Sequence, residues 1–282
     1  MLKKRAAVGW LLFLVLVAAL VAMSPAAVGT VYYIKGKRLL DAGRDQEANE
    51  AFRRSLRFRP NAARTHVDLG ASYLNLKRYG EAERAFKRAL ELEEESCAFC
   101  GLGATYYSSG RYEEAEAAFR RAAELNPRDE CAYKWSGRMY YDMGRYREAI
   151  EALRREFSLR PGNVSSYYCL GNSYAYLGEW AETAGWYERI IGIAPDDSDA
   201  HARLGLAYSL MGRYEEAVRA YGRALSAKPD NIGALCGLAM AHAAAGNRAA
   251  ALAQYESLRA LDPEAAARLL DRINRGVAQP VR

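Results

Sequence analysis

Few side chains in this 282-residue sequence are suited to bond-making chemistry. Three histidines occur, His66, His201 and His242, with five cysteines. No histidine stands in a nucleophile–base pattern with a serine or cysteine, and no spacing matches a metal-ligand set. An enzyme, a resident metal and a cofactor are therefore not expected. The sulfur atoms are more informative. Cys97-Ala-Phe-Cys100 opens a helix after Ser96, and Cys131 follows Cys97 by 34 residues. Sharing one face, Cys97, Cys100 and Cys131 could exchange disulfides with thiol-bearing chains. A helix N-terminus lowers a thiol pKa while Glu93, Glu94 and Glu95 upstream raise it, so the two effects are expected to cancel. A lone Cys-x-x-Cys is half of a zinc site, and small packing residues are the alternative reading of all three. Cys169 and Cys236 read as packing residues.

A second set suits recognition. Lys134, Arg138 and Tyr141 fall at i, i+4 and i+7, one helical face, distinct from that of Tyr133, Gly137 and Tyr140. Tyr168, Asn172 and Tyr176 repeat the arrangement, with Tyr107 before and Arg203 after. Rings interleaved with cations suit an extended peptide carrying acidic side chains or a free carboxylate. The alternative is an ordinary solvated face.

A period positions both sets. Gly110, Gly144, Gly178, Gly212 and Gly246 recur every 34 residues, as do Pro127, Pro161, Pro195, Pro229 and Pro263. These marks divide the chain into seven units: 29–62, 63–95, 96–129, 130–163, 164–197, 198–231 and 232–265. In unit 96–129, Phe99, Leu102, Gly103 and Tyr106 at three- and four-residue steps predict a helix ended by Gly110, and a second helix is stopped by Pro127. Gly103, Gly137, Gly171 and Gly205 fall inside first helices, where glycine costs about 1 kcal/mol against alanine, so close helix crossing must offset it. Ala115, Ala149 and Ala217 are expected to face those glycines, and Tyr106, Tyr140, Tyr174 and Tyr208 to fill the layer between neighbours. The three histidines take packing positions of the same pattern.

This pattern, as in Tyr133, Gly137, Tyr140, Ala149, Leu153 and Pro161 of one unit, resembles the tetratricopeptide repeat over residues 29–265. The resemblance implies an all-α, right-handed α-solenoid of seven stacked helix-turn-helix units. Its first helices would line a concave groove, with no catalysis of their own. Residues 266–282, with Leu269, Leu270 and Ile273 at helical spacing, read as a capping helix and tail. Relatives that clamp chaperone C-terminal carboxylates use Lys, Asn, Asn, Lys and Arg. The matching places here hold Lys134, Arg138, Cys169, Asp199 and Arg203, which speaks against that ligand.

Ahead of the repeats, Ala6 to Met23 is an apolar run of eighteen residues behind Lys3, Lys4 and Arg5. About 17–25 apolar residues span a bilayer, so residues 1–28 are read as a basic tail and a transmembrane helix, with membrane contact through 6–28. A signal peptide cleaved before Ala27 is the alternative, leaving a soluble exported repeat protein. Tyr32, Tyr33, Lys35, Lys37 and Arg38 would sit at the far interface. Residues 1–59 hold 11 Lys and Arg against 4 Asp and Glu, and residues 60–282 hold 29 against 30. A net positive excess that lies only around the apolar run points to a membrane surface rather than nucleic acid. The expectation is a non-enzymatic, membrane-anchored scaffold or adaptor for a protein or peptide partner, in a bacterial inner membrane with the repeats in the periplasm. Its roles would lie in envelope assembly or secretion. A redox-linked periplasmic chaperone for cysteine-bearing clients is the other class, resembling some repeat proteins of cytochrome assembly.

Overall fold

The computed structural model describes residues 24–275, and within them every regular element is an α-helix. Residues through Trp135 form one compact body and those from Ser136 a second. The first body holds α1 (Pro25–Asp41), α2 (Asp45–Phe58), α3 (Ala63–Asn75), α4 (Tyr79–Leu92), α5 (Ser96–Ser108) and α6 (Tyr112–Leu125). It ends within α7 (Glu130–Asp142). The second continues with α8 (Tyr146–Leu159), α9 (Val164–Tyr176), α10 (Trp180–Ile193), α11 (Ser198–Leu210), α12 (Tyr214–Ala227), α13 (Ile232–Ala244), α14 (Arg248–Leu261) and α15 (Pro263–Asn274). Hairpins α1–α2, α3–α4 and α5–α6 pack in the first body and α9–α10, α11–α12 and α13–α14 in the second; α3 packs on both α1 and α5, and α13 on both α11 and α15.

The intrahelical glycines make room for large side chains. A Cβ on Gly103 would lie 2.7 Å from the Phe119 ring, on Gly70 2.9 Å from Phe86, on Gly137 2.5 Å from Leu153 and on Gly205 2.9 Å from Tyr221. The expectation that Ala115, Ala149 and Ala217 face these glycines is thus corrected. The facing side chain is the larger one a turn later in the second helix, while those alanines are fully buried. A ring lying across bare backbone buries more apolar surface than an Ala–Gly contact could, which offsets the helix-propensity cost.

Loops close by a recurring clamp. Arg111 lies 4.2 Å from the Tyr106 ring centroid and pairs with Glu114; Arg145 does the same with Tyr140, 4.5 Å, and Glu148; Arg213 with Tyr208, 4.5 Å, and Glu216; Arg78 with Tyr73, 4.9 Å, and Glu81. Cation–π attraction ties the second helix to the first, and the ion pair lies in the second helix's opening turn, where an acid suits the dipole. Gly110, Gly144, Gly178 and Gly212 hold positive φ at the turn. Lys77 takes the same left-handed conformation, φ 58°, in the unit one residue short.

His66 and His201 donate a ring N–H to the carbonyls of Pro60, at 2.9 Å, and Pro195, at 2.8 Å, so they tether inter-hairpin loops besides filling space. His242 is half-buried, and desolvation lowers its pKa. In α15, Leu269 and Ile273 cover Leu235, Ala239 and Met240, closing the last apolar face.

The apolar run Ala6–Met23 lies outside the described residues. Among the described residues no helix is long and apolar enough to cross a membrane. Ser24 accepts from the Ala27 N–H and caps α1, which starts at Pro25. Tyr32 and Tyr33 are half-buried and pack on Phe58 and Phe52 of the first hairpin, with ring centroids 6.3 and 6.1 Å apart.

Candidate functional site

In unit 164–197 the clamp fails: Glu179 stands where Arg111, Arg145 and Arg213 stand in other hairpins, and Trp180 follows it. Beside this loop the second body holds a cavity of about 550 Å³, bounded by Tyr141, Tyr176, Trp180, Arg203, Leu206 and Leu210. Tyr176, 65% exposed, stacks on Tyr146, with centroids 4.4 Å apart and planes 5° from parallel. Tyr141 meets both at 6.0 and 6.4 Å. Three mutually supporting rings form a rigid apolar surface that loses little entropy on contact with a ligand.

The cation is held as firmly. Arg203, exposed on α11, donates from Nη1 to the Asn172 Oδ1 at 3.0 Å, and the buried Tyr187 hydroxyl donates to the same oxygen at 2.6 Å. Burial raises the Tyr187 pKa, which keeps it the donor. Asn172 therefore orients Arg203, and the guanidinium retains donors for an incoming carboxylate. Arg203 also lines a neighbouring cavity of about 430 Å³ with Asp199 and Arg272.

Of the residues singled out in the sequence, Tyr141, Asn172, Tyr176 and Arg203 meet at this cavity. Arg138 does not line it: its Nε donates to both Asp142 carboxylate oxygens, at 3.1 and 3.0 Å, so its charge is already matched. Tyr168 is half-buried and donates to Asp197 Oδ1 at 2.8 Å; burial and that carboxylate push its pKa up. Its hydroxyl braces the start of α11, whose Ala200 N–H the same carboxylate caps. Tyr107 and Lys134 belong to the first body, where Trp135 joins them: Tyr107 lies 6.0 Å from the Trp135 ring and Lys134 Nζ 5.5 Å. Trp180, Tyr146 and Trp135 were not singled out. Tyr146 falls on the loop-closing series with Tyr112 and Tyr214, so the period hides it. The signal for Trp180 is Glu179, where the Arg-Tyr dipeptide of the neighbouring units becomes Glu-Trp.

The sulfur atoms divide differently from the Cys-x-x-Cys reading. Cys97 and Cys100 do not pair. Cys97 donates to Glu95 Oε2 at 3.0 Å and lies 3.7 Å from Arg64 Nη1, whereas Cys100 Sγ lies 2.6 Å from Cys131 Sγ. Burial, then Glu95, push the Cys97 thiol up to about 12, so the expected cancellation fails because desolvation is added to the acidic neighbour. Burial raises the Cys100 thiol.

The family profile described as tetratricopeptide repeat matches residues 96–129 and 198–231; other profiles of the same repeat match 63–96 and 137–178. Among solved structures, YrrB, described as a TPR protein with an unusual peptide-binding site, is 20% identical at TM-score 0.63, covering 67% of this chain and 99% of that one. The C-terminal part of a TPR repeat-containing protein from Cytophaga hutchinsonii is 18% identical at TM-score 0.68, covering 84% and 99%. PilF of Pseudomonas aeruginosa is 18% identical at TM-score 0.59, covering 76% and 99%. At these identities the likeness concerns the fold alone. No curated protein matches in sequence.

Proposed function

Because the chain belongs to the tetratricopeptide repeat family, we propose that it is a non-enzymatic scaffold holding a peptide or protein partner at the cavity beside Trp180. The observation that carries this reading is the pairing of a pre-stacked aromatic surface with an oriented, exposed Arg203 at a hairpin whose loop lacks the Arg–Tyr clamp. Rings give contact area and the guanidinium gives polarity, so the favoured ligand is an extended segment with apolar side chains beside a carboxylate. YrrB, whose description names a peptide-binding site, is the neighbour that supports a peptide ligand.

The same reading keeps the protein at a membrane through residues 6–28, in a bacterial inner membrane with the repeats in the periplasm. Lys3, Lys4 and Arg5 ahead of Ala6–Met23 favour a short inside tail. Alkaline carbonate extraction tests the anchor: the full-length chain should stay with the membranes, and release of an N-terminally shortened chain refutes it. Alkaline phosphatase fused after Arg282 should be active, and an inactive fusion refutes the orientation. Ligand chemistry is tested by binding the full chain to a peptide array varied in C-terminal and side-chain charge. Enrichment of acidic over basic peptides, lost in Arg203→Glu, is the expected result; indifference to charge contradicts it.

A further inference from the structure

Two thiols that the sequence places 31 residues apart meet in the first body, one from α5 and one from the first turn of α7. The Sγ atoms of Cys100 and Cys131 are 2.6 Å apart, well inside the contact distance of non-bonded sulfurs, so bond formation needs only a small side-chain rotation. Their surroundings are unequal. Cys100 is 1% exposed, while Cys131 is only partly buried. Asp129 Oδ1 accepts the Cys131 N–H at 3.0 Å, fixing the thiol in the opening turn of α7. Asp129 and Glu130 oppose a charge on that sulfur, and Lys134 favours one. Cys97, walled off by burial and Glu95, is not part of the pair.

We propose that Cys131 and Cys100 form a thiol–disulfide exchange couple between consecutive hairpins, with Cys131 as the attacking thiol and Cys100 as the resolving one. The substrate class is an accessible disulfide, low-molecular-weight or on a client chain. The Cys131 thiolate attacks one sulfur of R–S–S–R′; that S–S bond breaks, and R′S⁻ leaves and takes a proton from solvent. Cys100 then loses its proton to solvent, its sulfur attacks Cys131 Sγ, and RS⁻ is expelled. Two protein thiols have been oxidised to one disulfide and the substrate disulfide reduced to two thiols, so atoms and electrons balance. The resolving step needs no backbone movement, because the two sulfurs already touch.

A metal is the competing use of the same atoms, since an Asp129 oxygen and both sulfurs lie within 4.8 Å of one another. Thiolates on zinc, each at about 2.3 Å from the ion, are held more than about 3.5 Å apart, so the observed separation favours the sulfur–sulfur bond. The exchange couple is independent of the peptide cavity, and its failure would leave the reading of Arg203 and Trp180 untouched.

The test uses the full-length chain, reduced and then equilibrated with oxidised glutathione, with thiols trapped by alkylation and mapped by mass spectrometry. The expected product is a Cys100–Cys131 disulfide that re-opens in the folded chain under excess reduced glutathione. Cys100→Ala should accumulate glutathione on Cys131 at more than about tenfold the wild-type level, and Cys131→Ala should leave Cys100 unmodified. Cys100→Ser repeats the trap should the alanine variant fold poorly, with helicity by circular dichroism as the check. Pairing of Cys97 with Cys100, absence of the mixed disulfide in both Cys100 variants, a bond that resists reduction in the native chain, or stoichiometric zinc held by the two cysteines would each overturn the proposal.

Discussion

Hairpins α9–α10 and α11–α12 follow each other in the second body and share one internal plan. In both, a tyrosine ring of the second helix lies over a glycine of the first: Tyr187 on Gly171, and Tyr221 on Gly205. Their exposed edges differ. α11–α12 closes its loop with Arg213 stacked on Tyr208 and paired with Glu216; α9–α10 carries Glu179-Trp180 there and presents Tyr176 to solvent. The core ring has diverged too, because the Tyr187 hydroxyl reaches Asn172 and through it orients Arg203. The period thus specifies the packed interior, and the proposed recognition chemistry lies where this unit departs from it while keeping its glycine and its core ring.

The comparison breaks most visibly at the core. Tyr187→Ala and Tyr221→Ala each empty a ring-sized space and should cost about 3–5 kcal/mol in chemical denaturation. Similar costs mean a common interior, and a Tyr187 cost below about 1 kcal/mol would mean that α9–α10 packs by another rule. Next comes binding. Trp180→Ala with Tyr176→Ala should weaken an acidic peptide by about thirtyfold or more, roughly 2 kcal/mol, in a titration followed by fluorescence anisotropy. The corresponding Tyr214→Ala in α11–α12 should leave affinity unchanged.

That contrast was only partly legible in the sequence. Helix-pair architecture could be read from glycine and proline marks because a 34-residue period reflects backbone requirements, positive φ at Gly110 or Gly144 and close approach at Gly103 or Gly137, which few other residues meet. Tyr141, Asn172, Tyr176 and Arg203 were found from helical spacing, which reports a shared face. Spacing does not report what else shares it: Asp142 claims Arg138 and Asp197 claims Tyr168, so two residues of the same stripe are bound within the fold. Likewise Cys97 and Cys100 are neighbours in sequence, yet Cys100 lies one helical turn further on and meets Cys131 of the next hairpin.

Smaller effects sharpen the account. Tyr187→Phe keeps the ring over Gly171 and removes only the hydroxyl that holds Asn172. Stability should fall by about 1 kcal/mol or less, while affinity for an acidic peptide falls about three- to tenfold through a looser Arg203. Equal affinity would remove Tyr187 from the positioning of the cation. The smallest change restores the clamp: Glu179→Arg would stack on Tyr174 and meet Glu182 at i+3, adding up to about 0.5–1 kcal/mol of stability in a denaturant melt. No gain would show that the clamp depends on more than this arginine.

Site-specific photocrosslinking tests the central claim most directly. A benzophenone amino acid replacing Tyr176 in the full-length chain, irradiated in cells beside the same substitution at exposed Arg219 on α12, asks where a partner sits. A partner adduct at position 176 that disappears when Arg203→Glu is added, with none at position 219, is the predicted result. An adduct at position 219 with none at 176 would place recognition on the regular hairpin and contradict the account.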